Sequence, residues 1–153
     1  MIADKHILIT GANGGIGFTI TKLLAKQKAK LTLLYHENNQ NIEKLKNESH
    51  GIEIEKVDLT NTTELDKIIT SILEKHPIDI FIHSPAYPAQ HKPIMKTTWN
   101  DFQKQIDLQT KSFFQISKSI VPHMKSKKSG KIISILSSYV VGKPPNGVVD
   151  YVV

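Results

Sequence analysis

The chain has 153 residues, and its 20 Lys and Arg against 14 Asp and Glu give a formal net charge of +6. This length predicts a single domain over residues 1–153, and 39% hydrophobic with 22% charged residues excludes a disordered or fibrous protein. The sequence has no cysteine, which excludes disulfides, thiolate metal ligands and a cysteine nucleophile and favours a cytoplasmic protein. We expect no metal site.

The predicted elements alternate between apolar runs of strand length and longer stretches of helical period, which is typical of repeated β-α-β units around a parallel sheet. In chain order they are strand 5–10, helix 15–27, strand 30–35, helix 39–47, strand 52–57, helix 60–75, strand 78–82, a long helix from 98 that Pro122 kinks or breaks, and strand 131–136. The third strand alternates apolar and charged residues, which predicts an edge position, and the fifth has the composition of a buried strand. We expect a doubly wound α/β fold, with one parallel sheet of strand order 3-2-1-4-5 and helices on both faces.

Positive charge is spread along the chain rather than gathered in a binding motif. The one dense patch, at residues 125–128, stands near the predicted end of a helix, where cations interact favourably with the helix dipole. No aromatic platform accompanies the charge, so nucleic acid is the weaker interpretation. The first apolar run is too short, and too soon broken by glycine, for a signal peptide or a membrane span. We therefore expect neither nucleic acid nor a membrane as a partner.

A glycine-rich loop, with the sequence TGANGGIG at residues 10–17, connects the first strand to the first helix. Gly11 permits a tight turn, Gly15 lets the backbone approach a pyrophosphate, and Gly17 lets the helix pack closely. The start of the helix supplies free N–H groups and partial positive charge for phosphates. The order of strand, loop and helix predicts a Rossmann-like dinucleotide site, although a glycine turn without a ligand is the alternative.

This loop resembles the TGxxxGIG cofactor loop of the short-chain dehydrogenase/reductase family at every fixed position, and the likeness continues along the chain. The resemblance implies an NAD(P)-dependent oxidoreductase that transfers a hydride between nicotinamide and a small carbonyl or alcohol substrate. Asp58 and Leu59 resemble the family's segment after strand three, where the aspartate hydrogen-bonds adenine; Asp58 as a helix cap is the alternative. The implied cofactor contacts in this part of the chain are Gly11, Asn13, Gly14, Gly15, Ile16, Gly17, Asp58 and Leu59.

Two further segments depart from the family pattern. The family's NNAG after strand four is here His83-Ser84-Pro85-Ala86, and the resemblance implies that His83, Ser84 and Pro85 line the cofactor, although Pro85 lacks an N–H donor. Asp107 stands where the family has an asparagine that holds a water in a proton relay. An aspartate accepts hydrogen bonds but does not donate as an amide does.

The catalytic pair is implied by two matches near the end of the sequence. The segment GKIISILSS from residue 130 resembles the family's GKIINISS, which makes Ser137 the catalytic serine and Ser138 the alternative. Tyr151 resembles the tyrosine of YxxxK, whose lysine would fall at position 155. That lysine matters because a phenol normally titrates near 10, and a nearby ammonium lowers the pKa toward neutrality.

The residues at the end of the second strand indicate whether the cofactor is NAD(H) or NADP(H). NAD-dependent members commonly have an acidic residue there, and this chain has Tyr35 followed by His36. A basic side chain suits a 2′-phosphate, which favours NADP(H) over NAD(H). Glu37 next to it leaves the alternative that a carboxylate reaches the ribose.

Family members add two strands and the helices of an oligomer interface beyond the tyrosine, so we expect this chain to be a fragment or a prematurely terminated product of a usually homo-oligomeric enzyme. The alternative functions are a dinucleotide-binding module without turnover and a polyanion-binding protein. Neither substrate identity nor oligomeric state is predicted by the sequence.

Overall fold

A computed structural model describes residues 2–152, so the outermost residues of the predicted domain, 1 and 153, lie outside the described residues. Its centre is a parallel sheet of five strands in the order β3-β2-β1-β4-β5, which confirms the predicted topology. The strands are β1 His6–Thr10, β2 Lys30–Tyr35, β3 Ile52–Lys56, β4 Ile80–His83 and β5 Lys131–Ser134. All four neighbouring pairs are parallel.

Helices cover both faces of the sheet, as the sequence predicts. They are α1 Gly15–Lys26, α2 Gln40–Glu48, α3 Thr62–Lys75, α4 Trp99–Gln105 and α5 Ser112–Ser126. Successive side chains of a strand point to opposite faces, so Leu8 packs with α3 and α5 while Ile7 and Ile9 pack with α1 and α2. The two apolar layers bury β1 completely.

The predicted boundary of β4 is two residues too early. The Asp79 carboxylate accepts a hydrogen bond from the His6 backbone amide at 3.0 Å, and the ladder between β1 and β4 begins with Ile7 opposite Ile80. Ile78 is buried nonetheless, because it packs in the core just before the strand. The apolar run at residues 78–82 therefore predicted the burial of Ile78 correctly, but it did not show where the pairing of β4 with β1 begins.

The long helix after residue 98 is divided where no sequence signal indicated a division. A π-helical turn, Ile106–Lys111, separates α4 from α5. Thr98 forms a capping box with Asp101 at the start of α4. Pro122 does not break α5, which continues to Ser126; it is exposed near the end of the helix, where water can satisfy the carbonyl that its missing N–H leaves free.

The prediction that the fifth strand is buried is wrong for the described chain. β5 pairs with β4 on one side and forms the other edge of the sheet, with Ile132 37% and Ile133 42% exposed. Its apolar composition is typical of a strand covered on both faces, but among residues 2–152 little packs on it. The edge position of β3 is confirmed.

Candidate functional site

A cleft of about 870 Å³ lies at the carboxyl ends of the strands. The loops after all five strands contribute to it, because the carboxyl ends of parallel strands lie on the same edge of the sheet. The chain reverses its winding direction between β1 and β4, and doubly wound sheets bind ligands in the crevice that this reversal opens. Of the sequence-predicted site residues, fourteen line the cleft: Gly11, Asn13, Gly14, Gly15, Ile16, Gly17, Tyr35, His36, Asp58, Leu59, Ser84, Pro85, Ser137 and Tyr151.

The glycine loop is shaped by close backbone contacts. Gly11 has a φ of +67°, and a Cβ on it would lie 2.5 Å from the carbonyl oxygen of Ser84. A Cβ on Gly17 would overlap the carbonyl oxygen of Gly11, whereas one on Gly15 would project into open space. Gly11 and Gly17 thus allow the backbone to pack, while Gly15 leaves room beside the start of α1 for a ligand.

The start of α1 is free to bind an anion. Its N-cap, Gly14, makes no side-chain cap, and the first turn contains no acidic residue. The first N–H groups of a helix have no acceptor within the helix and carry partial positive charge. With no side chain of the loop taking these donors, the helix start can accept a phosphate group.

Asp58 and His36 line the part of the cleft that is formed by the loops after β2 and β3. Asp58 Oδ1 accepts hydrogen bonds from the Thr60 amide and hydroxyl, both at 2.8 Å, and Asp58 Oδ2 is 4.0 Å from His36 Nε2. Burial acts to raise the pKa of Asp58, but the two hydrogen bonds and His36 outweigh it and hold the pKa below its ordinary value. Asn61, not Asp58, caps the next helix, so the capping alternative for Asp58 is wrong.

Asn13 fastens the glycine loop to the loop after β2. Its side-chain amide donates to the carbonyl oxygen of Asn38 at 2.7 Å, and both residues line the cleft. This hydrogen bond joins the glycine loop to the loop after β2 at the edge of the cleft.

Ser137 and Tyr151 enter the cleft from the β5 side. Ser137 precedes a short 3₁₀ turn, Ser138–Val140, and its hydroxyl oxygen accepts from the Tyr139 amide at 3.2 Å. Ser138 also lines the cleft. The Tyr151 ring lies edge-on to Tyr139, with the ring centroids 6.1 Å apart. Ser137 and Ser138 therefore line the same cleft as Tyr151, and both are candidates for the catalytic serine.

Two sequence-predicted site residues do not line the cleft. His83 is 3% exposed, in the core beneath the loop after β4, and burial lowers its pKa to about 4 against a smaller opposite effect from its hydrogen bond to the Gln109 carbonyl. Asp107 lies in the π-turn, where its carboxylate accepts from Gln103 at 3.2 Å and pairs with Lys111 at 3.4 Å.

The cleft also contains residues that were not named as site residues. Tyr87, in the loop after β4, lines it, and burial, together with the negative charges of Asp58 and Asp107, raises the pKa of its phenol. Leu108 and Gln109 reach it from the π-turn. The sequence indicated the loop from Tyr87 to Pro93 as a border of the substrate pocket and placed Leu108 next to Asp107, but neither signal was specific enough to name these residues as site residues.

Neither a metal-binding cluster nor a membrane-spanning helix is present among residues 2–152. Among residues 2–152, no group of three or more His, Asp and Glu side chains is placed to hold a metal ion. Within that same part of the chain, every helix is too short or too polar to cross a bilayer.

The fold and the cleft define a doubly wound domain of the dinucleotide-binding class, and comparison with known proteins identifies its family. The sequence profile described as short chain dehydrogenase matches residues 5–152. The chain therefore belongs to the short-chain dehydrogenase/reductase family, whose members are oxidoreductases that bind NAD(P).

Individual relatives agree with this assignment. The chain is 29% identical over 143 residues to the 5-keto-D-gluconate 5-reductase of Escherichia coli, covering 89% of this chain and 55% of the enzyme. An NADH-dependent reductase, A1-R′, solved with NAD has a TM-score of 0.85 at 23% identity, over 99% of this chain and 66% of its own. ElxO, solved with NADP, has a TM-score of 0.85 at 22% identity, over 97% of this chain and 61% of its own. The chain spans 55% to 60% of the length of the curated relatives that it matches.

Proposed function

We propose that this chain provides the cofactor cleft and the serine and tyrosine of an NAD(P)-dependent oxidoreductase, which transfers a hydride between nicotinamide and a small carbonyl or alcohol. The observation that carries the proposal is a single cleft in which the glycine loop, Ser137 and Tyr151 meet. A cytoplasmic location and a homo-oligomeric whole protein are part of the proposal.

The residues of the cleft suit a dinucleotide. The uncapped start of α1 and the open space beside Gly15 would accept the pyrophosphate. The Asp58 carboxylate would accept a hydrogen bond from the adenine amino group. On the other side of the glycine loop, the segment of Ser84 and Pro85 would border the nicotinamide half, close to Ser137.

The chemistry assigned to the side chains follows from what each can donate. The bound nicotinamide would supply the carbon that gives or takes the hydride. The Ser137 hydroxyl would donate a hydrogen bond to the substrate oxygen and polarise it, and the Tyr151 phenol would deliver or remove the proton on that oxygen. Asp107 would act only through water, because it does not line the cleft.

The proposed preference is for NADP(H) over NAD(H). His36 is exposed at the end of β2, and a protonated imidazole would pair with a 2′-phosphate. His36 also lines the cleft, which supports the preference. Glu37 also lines the cleft and is the group that would reverse the preference by binding the ribose hydroxyls.

The test is a titration of the purified protein with NADPH and with NADH, followed by nicotinamide fluorescence and by the melting temperature, which a ligand of the folded state must raise. Gly15→Asp should weaken binding about tenfold or more, because its carboxylate would lie beside the pyrophosphate. Gly15→Ala is the matched control, since its methyl group would enter the same open space without a charge. Equal binding by Gly15→Asp and wild type would contradict the proposed site.

A second candidate function is a dinucleotide-binding module without turnover. The observation that favours it is the position of Asp107, which pairs with Lys111 outside the cleft. The two functions differ in the effect of Tyr151→Phe on the full-length protein. Loss of carbonyl reduction with NADPH binding retained supports the enzyme, whereas tight dinucleotide binding with no reduction by wild type supports the module.

A further inference from the structure

His83 joins three elements that meet under the cleft. It is the last residue of β4, its Nδ1 is 2.8 Å from the hydroxyl oxygen of Thr10 at the end of β1, and its Nε2 is 2.9 Å from the carbonyl oxygen of Gln109 in the π-turn. The ring is enclosed by Phe81 and Phe113, with centroid distances of 5.6 and 5.4 Å. One side chain thus connects the two central strands to the turn between α4 and α5.

The partners of the ring fix its protonation. A carbonyl oxygen only accepts hydrogen bonds, so Nε2 must carry a hydrogen and donate it to Gln109. Nδ1 is then the acceptor for the Thr10 hydroxyl. Among residues 2–152, no charged side chain shifts the pKa of the ring: its neighbours are Thr10, the Gln109 backbone and two phenylalanines, and burial keeps it neutral near pH 7.

The carbonyl that His83 holds belongs to a residue of the cleft. Gln109 lines the cleft on the side of β4, since its carbonyl oxygen is within hydrogen-bond distance of the last residue of that strand. π-turns are rare within helices and often occur at functional sites. This one carries Leu108 and Gln109 into the cleft, so the position of the turn sets the shape of the wall there.

We propose that His83 is a positioning residue, which holds the π-turn at the Gln109 carbonyl and so fixes the cleft wall that faces the nicotinamide half of the cofactor. This inference rests on the proposed function, because it assigns the β4 side of the cleft to nicotinamide. It predicts that loss of the two hydrogen bonds weakens contacts to nicotinamide and leaves contacts to the adenine half largely intact.

His6 provides a matched control. It is also a buried histidine on the central strands, with Nε2 2.8 Å from the Thr32 hydroxyl and Nδ1 3.2 Å from the Pro77 carbonyl oxygen. It lies at the amino ends of the strands, on the edge opposite the cleft. His6→Phe and His83→Phe therefore remove the same kinds of bond, but only one of them is next to the proposed cofactor site.

The experiment compares the affinity of wild type, His83→Phe, His83→Gln and His6→Phe for the preferred reduced dinucleotide and for its adenine half, which is ADP for NADH and 2′,5′-ADP for NADPH. His83→Phe should weaken dinucleotide binding about fivefold or more and change binding of the adenine half by less than about twofold. His83→Gln should restore most of the loss, because its amide can donate to Gln109 and accept from Thr10. His6→Phe should change neither affinity. Amide hydrogen exchange should rise at residues 106–112 in His83→Phe but not in His6→Phe.

The outcomes distinguish a failure of the proposed function from a failure of the positioning role of His83. Wild-type protein that binds neither nucleotide contradicts the proposed function itself. Wild-type binding that His83→Phe leaves unchanged contradicts only the positioning role of His83. Equal weakening of both ligands by His83→Phe, or an equal effect of His6→Phe, also contradicts that role, because either result is a general loss of stability.

Discussion

Buried histidines on the central strands have a consequence for the pH dependence of stability. Burial lowers the pKa of His83 to about 4 from an ordinary 6.5, and it lowers the pKa of His6 as well, despite opposite effects from Pro77 and nearby carboxylates. Between the folded and unfolded pKa values the unfolded chain binds more protons than the folded one. The neutral form of His83 therefore contributes its full share to the stability of the fold above pH 6.5, and this contribution is lost as the pH falls toward about 4.

We predict that the free energy of unfolding of wild type falls more steeply over this acidic range than that of His83→Phe. Over the whole range the difference between the two proteins should amount to no more than about 3.5 kcal/mol, because a shift from 6.5 to about 4 corresponds to about 1.4 kcal/mol for each pKa unit. Urea unfolding at a series of pH values measures it. Since His6 is present in both proteins, parallel pH profiles would show that His83 does not titrate in this way.

Individual residues also show where sequence reasoning reached its limit. The conformation of the glycine loop could be predicted at Gly11 and Gly17, because both lie where a Cβ would collide with neighbouring backbone. Asp107 and His83 were predicted at the site by position in a motif, yet one pairs with Lys111 and the other is buried under the cleft. A motif gives the position along the chain, whereas the partners of a side chain depend on residues far away, such as Gln109.

Among the elements, strands and helices were predicted well where an apolar period was strong. The third helix is an example: its apolar face packs Leu65, Ile69 and Ile72 into the core, and the bounds of β2 match the prediction. The π-turn was missed because one extra residue in a helical turn leaves no local signature. The burial of β5 was overestimated because composition reports apolar character but not whether neighbouring elements cover the strand.

A prediction for a single element concerns the N-cap of α3. The Asn61 side chain accepts a hydrogen bond from the Glu64 amide at 3.2 Å, and it is the N-cap of the helix. Asn61→Ala should lower the free energy of unfolding by about 1 kcal/mol, because it leaves this amide without its acceptor. Chemical denaturation gives the value. Thr62→Ala, one residue later, is the control, and an equal loss in both variants would argue against capping as the cause.

For the whole molecule, the two edge strands of the sheet differ in the chemistry of their side chains. β3 alternates apolar and charged residues, whereas β5 contains Ile132 and Ile133, which are 37% and 42% exposed. Exposed apolar strand edges are templates for pairing with another chain. Among residues 2–152, edge pairing is therefore less opposed at β5 than at β3.

We predict that Ile133→Lys reduces the concentration-dependent association of the purified protein several-fold, because a lysine on an edge strand opposes edge pairing. Sedimentation velocity at increasing concentration measures the effect. Val141→Lys is the matched control, since Val141 is 77% exposed but lies outside the sheet. Association that falls equally in both variants would indicate a general effect of charge rather than the edge of β5.

The close approach of Gly11 to Ser84 has a mechanical consequence. With no space for even a Cβ between the two backbones, and with the Ser84 amide hydrogen-bonded to the Thr10 carbonyl at 3.2 Å, the loops after β1 and β4 are in direct contact. Any side chain at position 11 would therefore push the Ser84 segment away from the glycine loop and change the spacing between these two loops.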